Sequence, residues 1–173
     1  MDFSFMEDAI GKTIQLERDG PDKLVGKLAA IMGDCIALET AEHDVVYVNG
    51  QHIKTISESV IPEVQVVRSA ADTDVPPVEE ERPPLLEATD FEDLLGKLRH
   101  RLVRVNHGGP NALQGVLIEL RPGVVTILHD MKDYVHYPTY HIRSVTWILN
   151  QKRERADGDA SRERADRKEG RGK

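Results

Sequence analysis

Two stretches of this chain repeat one another, and that self-similarity narrows the folds open to it. The segment ERDGPDKLVGKLAAIMGDCIALETAEHDVVYVNGQHIKTI ends at Ile56, and VNHGGPNALQGVLIELRPGVVTILHDMKDYVHYPTYHIRSV ends at Val145. A single offset of 89 lays Gly20-Pro21 on Gly109-Pro110, Gly26 on Gly115, Leu28 on Leu117, Ile36 on Val125 and His52-Ile53 on His141-Ile142. Repetition at a fixed spacing marks one small folding unit used twice. The shared residues are turn formers and apolar strand formers, which argues for a scaffold and against an enzyme.

The 173 residues leave about 55–60 for each unit, near the lower limit for an independent core. Contacts between the units, or with other chains, are therefore expected to add stability. Cys35 is the sole cysteine, so an intramolecular disulfide and a thiolate metal cluster are both excluded. It reads as a buried residue of the strand CIAL. No run approaches the ~20 apolar residues that span a bilayer, so no membrane partner is expected. The start, MDFSFMEDAI, lacks the basic and apolar stretches of a secretion signal, and synthesis in the cytoplasm is the expectation.

Charge is unevenly spread. The net is −7, yet residues 151–173 hold nine Lys/Arg against six Asp/Glu, so the rest carries −10. A polyanion-binding module normally presents the opposite sign.

Periodicity gives each unit the same order of elements. Phe5, Met6, Ala9 and Ile10 recur at helical spacing, with Ser4 and Glu7 as a capping box. Strands are then expected around Ile14–Leu16, Leu24–Ile31, Cys35–Glu39, Val45–Val48 and His52–Ile56. In the second unit Thr89 and Glu92 supply a capping box before FEDLLGKLRHR, whose Phe91, Leu94, Leu95 and Leu98 share a face. Its strands are expected at Leu102–Asn106, Leu113–Leu120, Val124–Leu128, Tyr134–Tyr137 and His141–Ile148. Gly26 and Gly115 each interrupt a second strand, as a sharp bend or bulge requires.

The expected fold is mainly β: two tandem five-stranded SH3/Sm-like barrels, each preceded by a short α-helix. A bent second strand serves both sheets of such a barrel, and closure limits exposed edges. The units are 1–60 and 89–149, with an acidic Pro-rich linker over 61–88 and a charged, disordered tail over 150–173.

Candidate chemistry is sparse. The Asp-Gly-Pro and Gly-Gly-Pro segments join two strands and lose an amide to proline, so they read as turns and not as phosphate cradles. His100, His107, His129, His136 and His141 all fall in the second unit, and converging imidazoles can bind a transition metal. Among them only His141 has a counterpart in the first unit, His52, which favours a structural role. No nucleophile signature accompanies them. Catalytic residues, metal, cofactor and small-molecule substrate are therefore not expected. Arg99, Arg101, Arg104 and His107 form a basic set suited to RNA, and an Sm-like RNA-binding protein is the alternative function. The acidic body and few stacking aromatics weigh against nucleic acid.

The pattern of a short helix, V-x-V-N-x-G-G-P-x-x-x-x-G-x-L, an aliphatic strand and Y-x-x-x-H-I-[KR]-[ST]-[IV] resembles the spore coat protein B family of endospore-forming bacteria. VRVNHGGPNALQGVLIEL follows its glycine-glycine-proline signature through Gly108, Gly109, Pro110 and Gly115, and HYPTYHIRSV resembles its closing strand pair through Pro138, His141 and Ile142. The first unit carries a worn version, in which Asp19 replaces the first glycine ahead of Gly20 and Pro21, and Asn49-Gly50 replaces the proline near Pro138. The resemblance implies a non-catalytic building block of the spore coat, made in the mother cell, deposited on the forespore, and partnered by other coat proteins and by itself. One departure stands out: the family's long tail rich in Ser, Lys and Arg is short here, with Ser161 its lone serine.

Overall fold

A computed structural model describes residues 3–20, 22–58, 83–108 and 111–149. Most of the expected linker, the expected tail, and Pro21, Gly109 and Pro110 lie outside the described residues. The first half contributes β1 (Thr13–Leu16), β2 (Leu24–Met32), β3 (Cys35–Glu39), β4 (Val45–Asn49) and β5 (Ile56–Glu58). The second contributes α1 (Phe91–Lys97), β6 (Leu102–Val105), β7 (Leu113–Arg121), β8 (Val124–His129), β9 (Asp133–Pro138) and β10 (Ser144–Trp147). The protein is mainly β, as the alternating pattern predicts.

All ten strands form one antiparallel sheet in the order β5-β1-β2-β3-β4-β10-β6-β7-β8-β9. The expected closure of each half is absent, because the outer edge of β4 is taken by a strand of the other half. Val48, Tyr47 and Val46 pair with Ser144, Val145 and Thr146. Joining the halves satisfies the same backbone groups that closing each half separately would satisfy.

Hydrogen bonds recur at the sequence offset. The amides of Gly11 and His100 donate to the carbonyls of Leu28 and Leu117, at 2.8 and 2.6 Å. Those of Gly50 and Thr139 donate to Asp34 and Gly123, at 2.8 and 2.9 Å. The register shifts in β2 and β7 also match, between Leu28 and Ala30 and between Leu117 and Glu119. Gly26 and Gly115 sit beside them: a Cβ would lie 2.7 Å from the carbonyl oxygen of Glu39 or 2.5 Å from that of Leu128. A bent strand passing this close to its neighbour leaves no room for a side chain.

Three expectations need correction. The first helix is a 3-10 helix over Ser4–Ala9 in place of the expected α-helix, with Phe3 at its N-cap, one residue before the Ser4 expected there. In the second half the cap is Asp90, whose side chain accepts from the Asp93 amide at 2.8 Å, while Asp93 accepts from the Thr89 amide at 3.0 Å. An Asp pair thus displaces Thr89 and Glu92 by one residue. His52–Ile56 and His141–Ile148 are each split into a 3-10 turn, Gly50–His52 and Thr139–His141, and a later strand. Asn49 caps the first of these turns by accepting from the Gln51 amide at 3.0 Å.

Strands β3 and β4 are buried on both faces, which explains their nearly unbroken apolar sequences. One face, with Ile36, Leu38, Val46 and Val48, joins the first 3-10 helix, β1 and β2 in a core confined to the first half. The other face, with Cys35, Ala37, Val45 and Tyr47, joins Leu94, Leu95 and Leu98 of the α1 region and the inner residues of β6, β7, β8 and β10. The lead-in to α1 is tied to the first half as well. Tyr47 Oη accepts from the Leu86 amide, and Asp34 Oδ1 from the Phe91 amide, each at 2.8 Å.

Candidate functional site

Two features qualify: the junction between the halves with the cleft beside it, and the two end strands of the sheet. At the junction the Asn49 amide donates to the Arg143 carbonyl at 2.8 Å and its Nδ2 to the Ile142 carbonyl at 3.3 Å. Asn106 gathers the second half around this point. Its Oδ1 accepts from the Arg143 amide and its Nδ2 donates to Tyr137 Oη, both at 2.8 Å. The His107 amide donates to Ser144 Oγ at 3.0 Å. An ion pair between Asp22 and Arg143 bridges the halves at the surface.

A cleft of about 220 Å³ opens along this seam. Buried Leu16, Leu24 and Val48 form its apolar floor, while Glu17, Lys23, Lys54, Asp22 and Arg143 line its charged rim. Its volume falls below the ~300–1,000 Å³ of ordinary small-molecule sites. His52 Nε2 and His107 Nδ1 are buried there without a hydrogen-bond partner among the described residues.

The residues singled out from sequence do not gather at one place. Gly20 holds φ 91° in the β1–β2 turn. Gly26 and Gly115 serve the bends of β2 and β7. Pro138 ends β9. Ile142 is fully buried. His52, Ile53 and Gly108 line the seam. The histidines are also dispersed. His129 Nδ1 lies 2.8 Å from the Gln114 carbonyl, His136 Nδ1 lies 3.1 Å from Thr126 Oγ1, and His141 stacks 4.1 Å from Tyr140. Among the described residues, no three His, Cys, Asp or Glu side chains converge as a ligand set. The basic set is spread as well: Arg101 lies over the Trp147 ring at 4.0 Å and Arg104 Nη2 donates to Gln114 Oε1 at 3.4 Å.

Sequence reasoning missed Asn106, Asp22 and Arg143. For Asn106 a signal was present, since the offset pairs it with Glu17, but the residues differ and the match is hidden. The ion pair has no such signal, because the counterparts of Asp22 and Arg143 are Asn111 and Lys54.

The sheet edges differ from its interior. Strands β5 and β9 are its ends, each paired on one side among the described residues. Tyr134, on β9, is 64% exposed, and Met131 and Tyr140 flank it at 76% and 63%. No helix among the described residues is long and apolar enough to cross a membrane.

No protein-family model matches the chain. It is 33% identical over 145 residues to the Spore coat protein B of Bacillus subtilis (strain 168), covering 83% of this chain. The chain spans 34% of that protein's length. The resemblance read from the repeated motifs is thus shown as homology to spore coat protein B.

Proposed function

We propose that this homologue of spore coat protein B is a structural building block of the bacterial spore coat, made in the mother-cell cytoplasm and deposited on the forespore. The similarity over 145 residues carries the reading. The end strands β5 and β9, each paired on one side among the described residues, and the exposed apolar residues of the β9 region support it, because edge strands bind by backbone pairing and apolar faces by packing. Its partners are other coat proteins and further copies of itself. The role is non-catalytic.

Each half is an Sm-like unit, in this reading, left open where β4 meets the other half. The order β5-β1-β2-β3-β4, with a bend in β2, supports that description of the first half. The basic tail adds contacts with acidic segments of neighbouring chains, and salt weakens them.

A fluorescently tagged copy followed through sporulation tests the proposal. A shell of signal around the forespore is expected, and signal that stays dispersed in the mother cell contradicts it. Removing residues 151–173 is expected to leave the sheet folded while reducing deposition. Unchanged deposition would remove the tail from the mechanism.

A further inference from the structure

We infer that copies of this chain join head to tail, β9 of one copy pairing antiparallel with β5 of the next in the register Tyr134↔Glu58, Val135↔Ser57, His136↔Ile56 and Tyr137↔Thr55. The inference rests on the building-block reading above and deepens it by naming the partner as a second copy.

The chain already contains this contact once. At the offset of 89, β9 is the counterpart of β4, and β5 is the counterpart of β10. Within the chain β4 pairs with β10, Val48 opposite Ser144 and Val46 opposite Thr146. Moving each partner to its counterpart gives Tyr137 opposite Thr55 and Val135 opposite Ser57. The two strands that would make this second contact are the two ends of the sheet. A contact between unlike surfaces, repeated from copy to copy, builds a ring or a filament.

Side-chain exposure points the same way. Leu94 and Val45 belong to the core that joins the halves, at 0% and 8% exposure. Their counterparts Phe5 and Tyr134 are 70% and 64% exposed. The positions covered at the internal junction are thus uncovered at the two ends, one on each surface that the head-to-tail contact would bring together. Large exposed apolar residues on the two surfaces fit a contact that buries both.

One of the differences between the two contacts removes hydrogen bonds. Asn49, which supplies two hydrogen bonds to β10's lead-in, has Pro138 as its counterpart, with no N–H and no amide side chain. The copy-to-copy contact is therefore weaker than the internal one, and association should depend on concentration.

Disulfide trapping with the purified full chain tests the register. The Asn49 amide donates to the carbonyl of Arg143 beside it, which makes Val46–Thr146, and by the offset Val135–Ser57, a non-hydrogen-bonded pair, where side chains approach most closely. Val135→Cys and Ser57→Cys variants, mixed and oxidised with diamide, should form a mixed dimer at least about ten-fold faster than either forms alone. Native Cys35 is fully buried and does not compete. Faster linking of Val135→Cys to itself would mean that β9 pairs with β9, and overturns the proposal. So would a rate no greater than that of Tyr134→Cys mixed with Ser57→Cys, which is one residue out of register.

A second variant, Phe5→Ser with Tyr134→Ser, should keep its melting temperature and lose self-association in sedimentation; undiminished association contradicts the apolar contact. Spore localisation is read separately. A chain that coats the spore without the cross-link refutes the head-to-tail order alone, and one that cross-links but never reaches the spore refutes the coat role alone.

Discussion

Glu17 and Asn106 perform one task with different side chains. Both take a left-handed backbone, φ 52° and 55°. Each side-chain oxygen accepts from a backbone amide 37 residues later, Lys54 at 2.7 Å and Arg143 at 2.8 Å. Each also donates its own amide to the carbonyl one residue further on, Thr55 at 3.1 Å and Ser144 at 2.9 Å. The pair of bonds fixes how the last strand of each half meets the first.

Asn106→Ala should therefore destabilise the protein by about 1–3 kcal/mol, since it strands the Arg143 amide and places a Cβ-bearing residue without local hydrogen bonding in the left-handed region. Glu17→Asn should be close to neutral, because asparagine tolerates that backbone and can make the same bond. Urea titration of both variants checks the contrast.

At the bends, Gly26→Ala and Gly115→Ala should each cost about 1–3 kcal/mol as an overpacked site. The obstruction is a backbone carbonyl at 2.7 or 2.5 Å, which cannot swing aside. Thermal melts of the two variants should show similar losses.

Burial separates Leu94 from its counterpart Phe5. Leu94→Ala should cost about 2–5 kcal/mol, as large-to-small changes in a core do. Phe5→Ala should change monomer stability by less than about 0.5 kcal/mol, as exposed positions do. Denaturation at low protein concentration isolates these effects from association.

Alkaline pH acts through the same core. Burial, with Asp34 and Asp90 nearby, raises the Cys35 thiol from its ordinary 9.0 to about 12. Burial raises the Tyr47 phenol as well. Both groups are neutral in the fold and ionise more readily when unfolded, so stability is complete below pH 9 and falls as pH rises towards 12. Cys35→Ala should reduce that fall in urea midpoints measured from pH 8 to 11. At pH 8 the native thiol should resist thiol reagents until the chain unfolds.

The duplicated pattern made much of this fold legible. Alternation along Ile14–Leu16 and Leu24–Met32, and the glycines at 26 and 115, mark strands and bends through local geometry that sequence spacing records. The apolar runs CIAL and VVYV carried a further message, that both faces of β3 and β4 are covered. Pairing of β4 with β10 was not legible, because the same edge groups are satisfied by closing on their own half or by meeting the other. The 3-10 turns at Gly50–His52 and Thr139–His141 were hidden for a different reason: three-residue turns leave no periodicity. At the seam, Asp22 and Arg143 come together from distant positions that no spacing rule connects.

Fractionation of mature spores tests the account most directly. Layers are stripped in sequence and this chain is quantified in each fraction by mass spectrometry. The account predicts that the chain is enriched in the coat extract and nearly absent from the core. Recovery mainly from the core or from mother-cell lysate would contradict it.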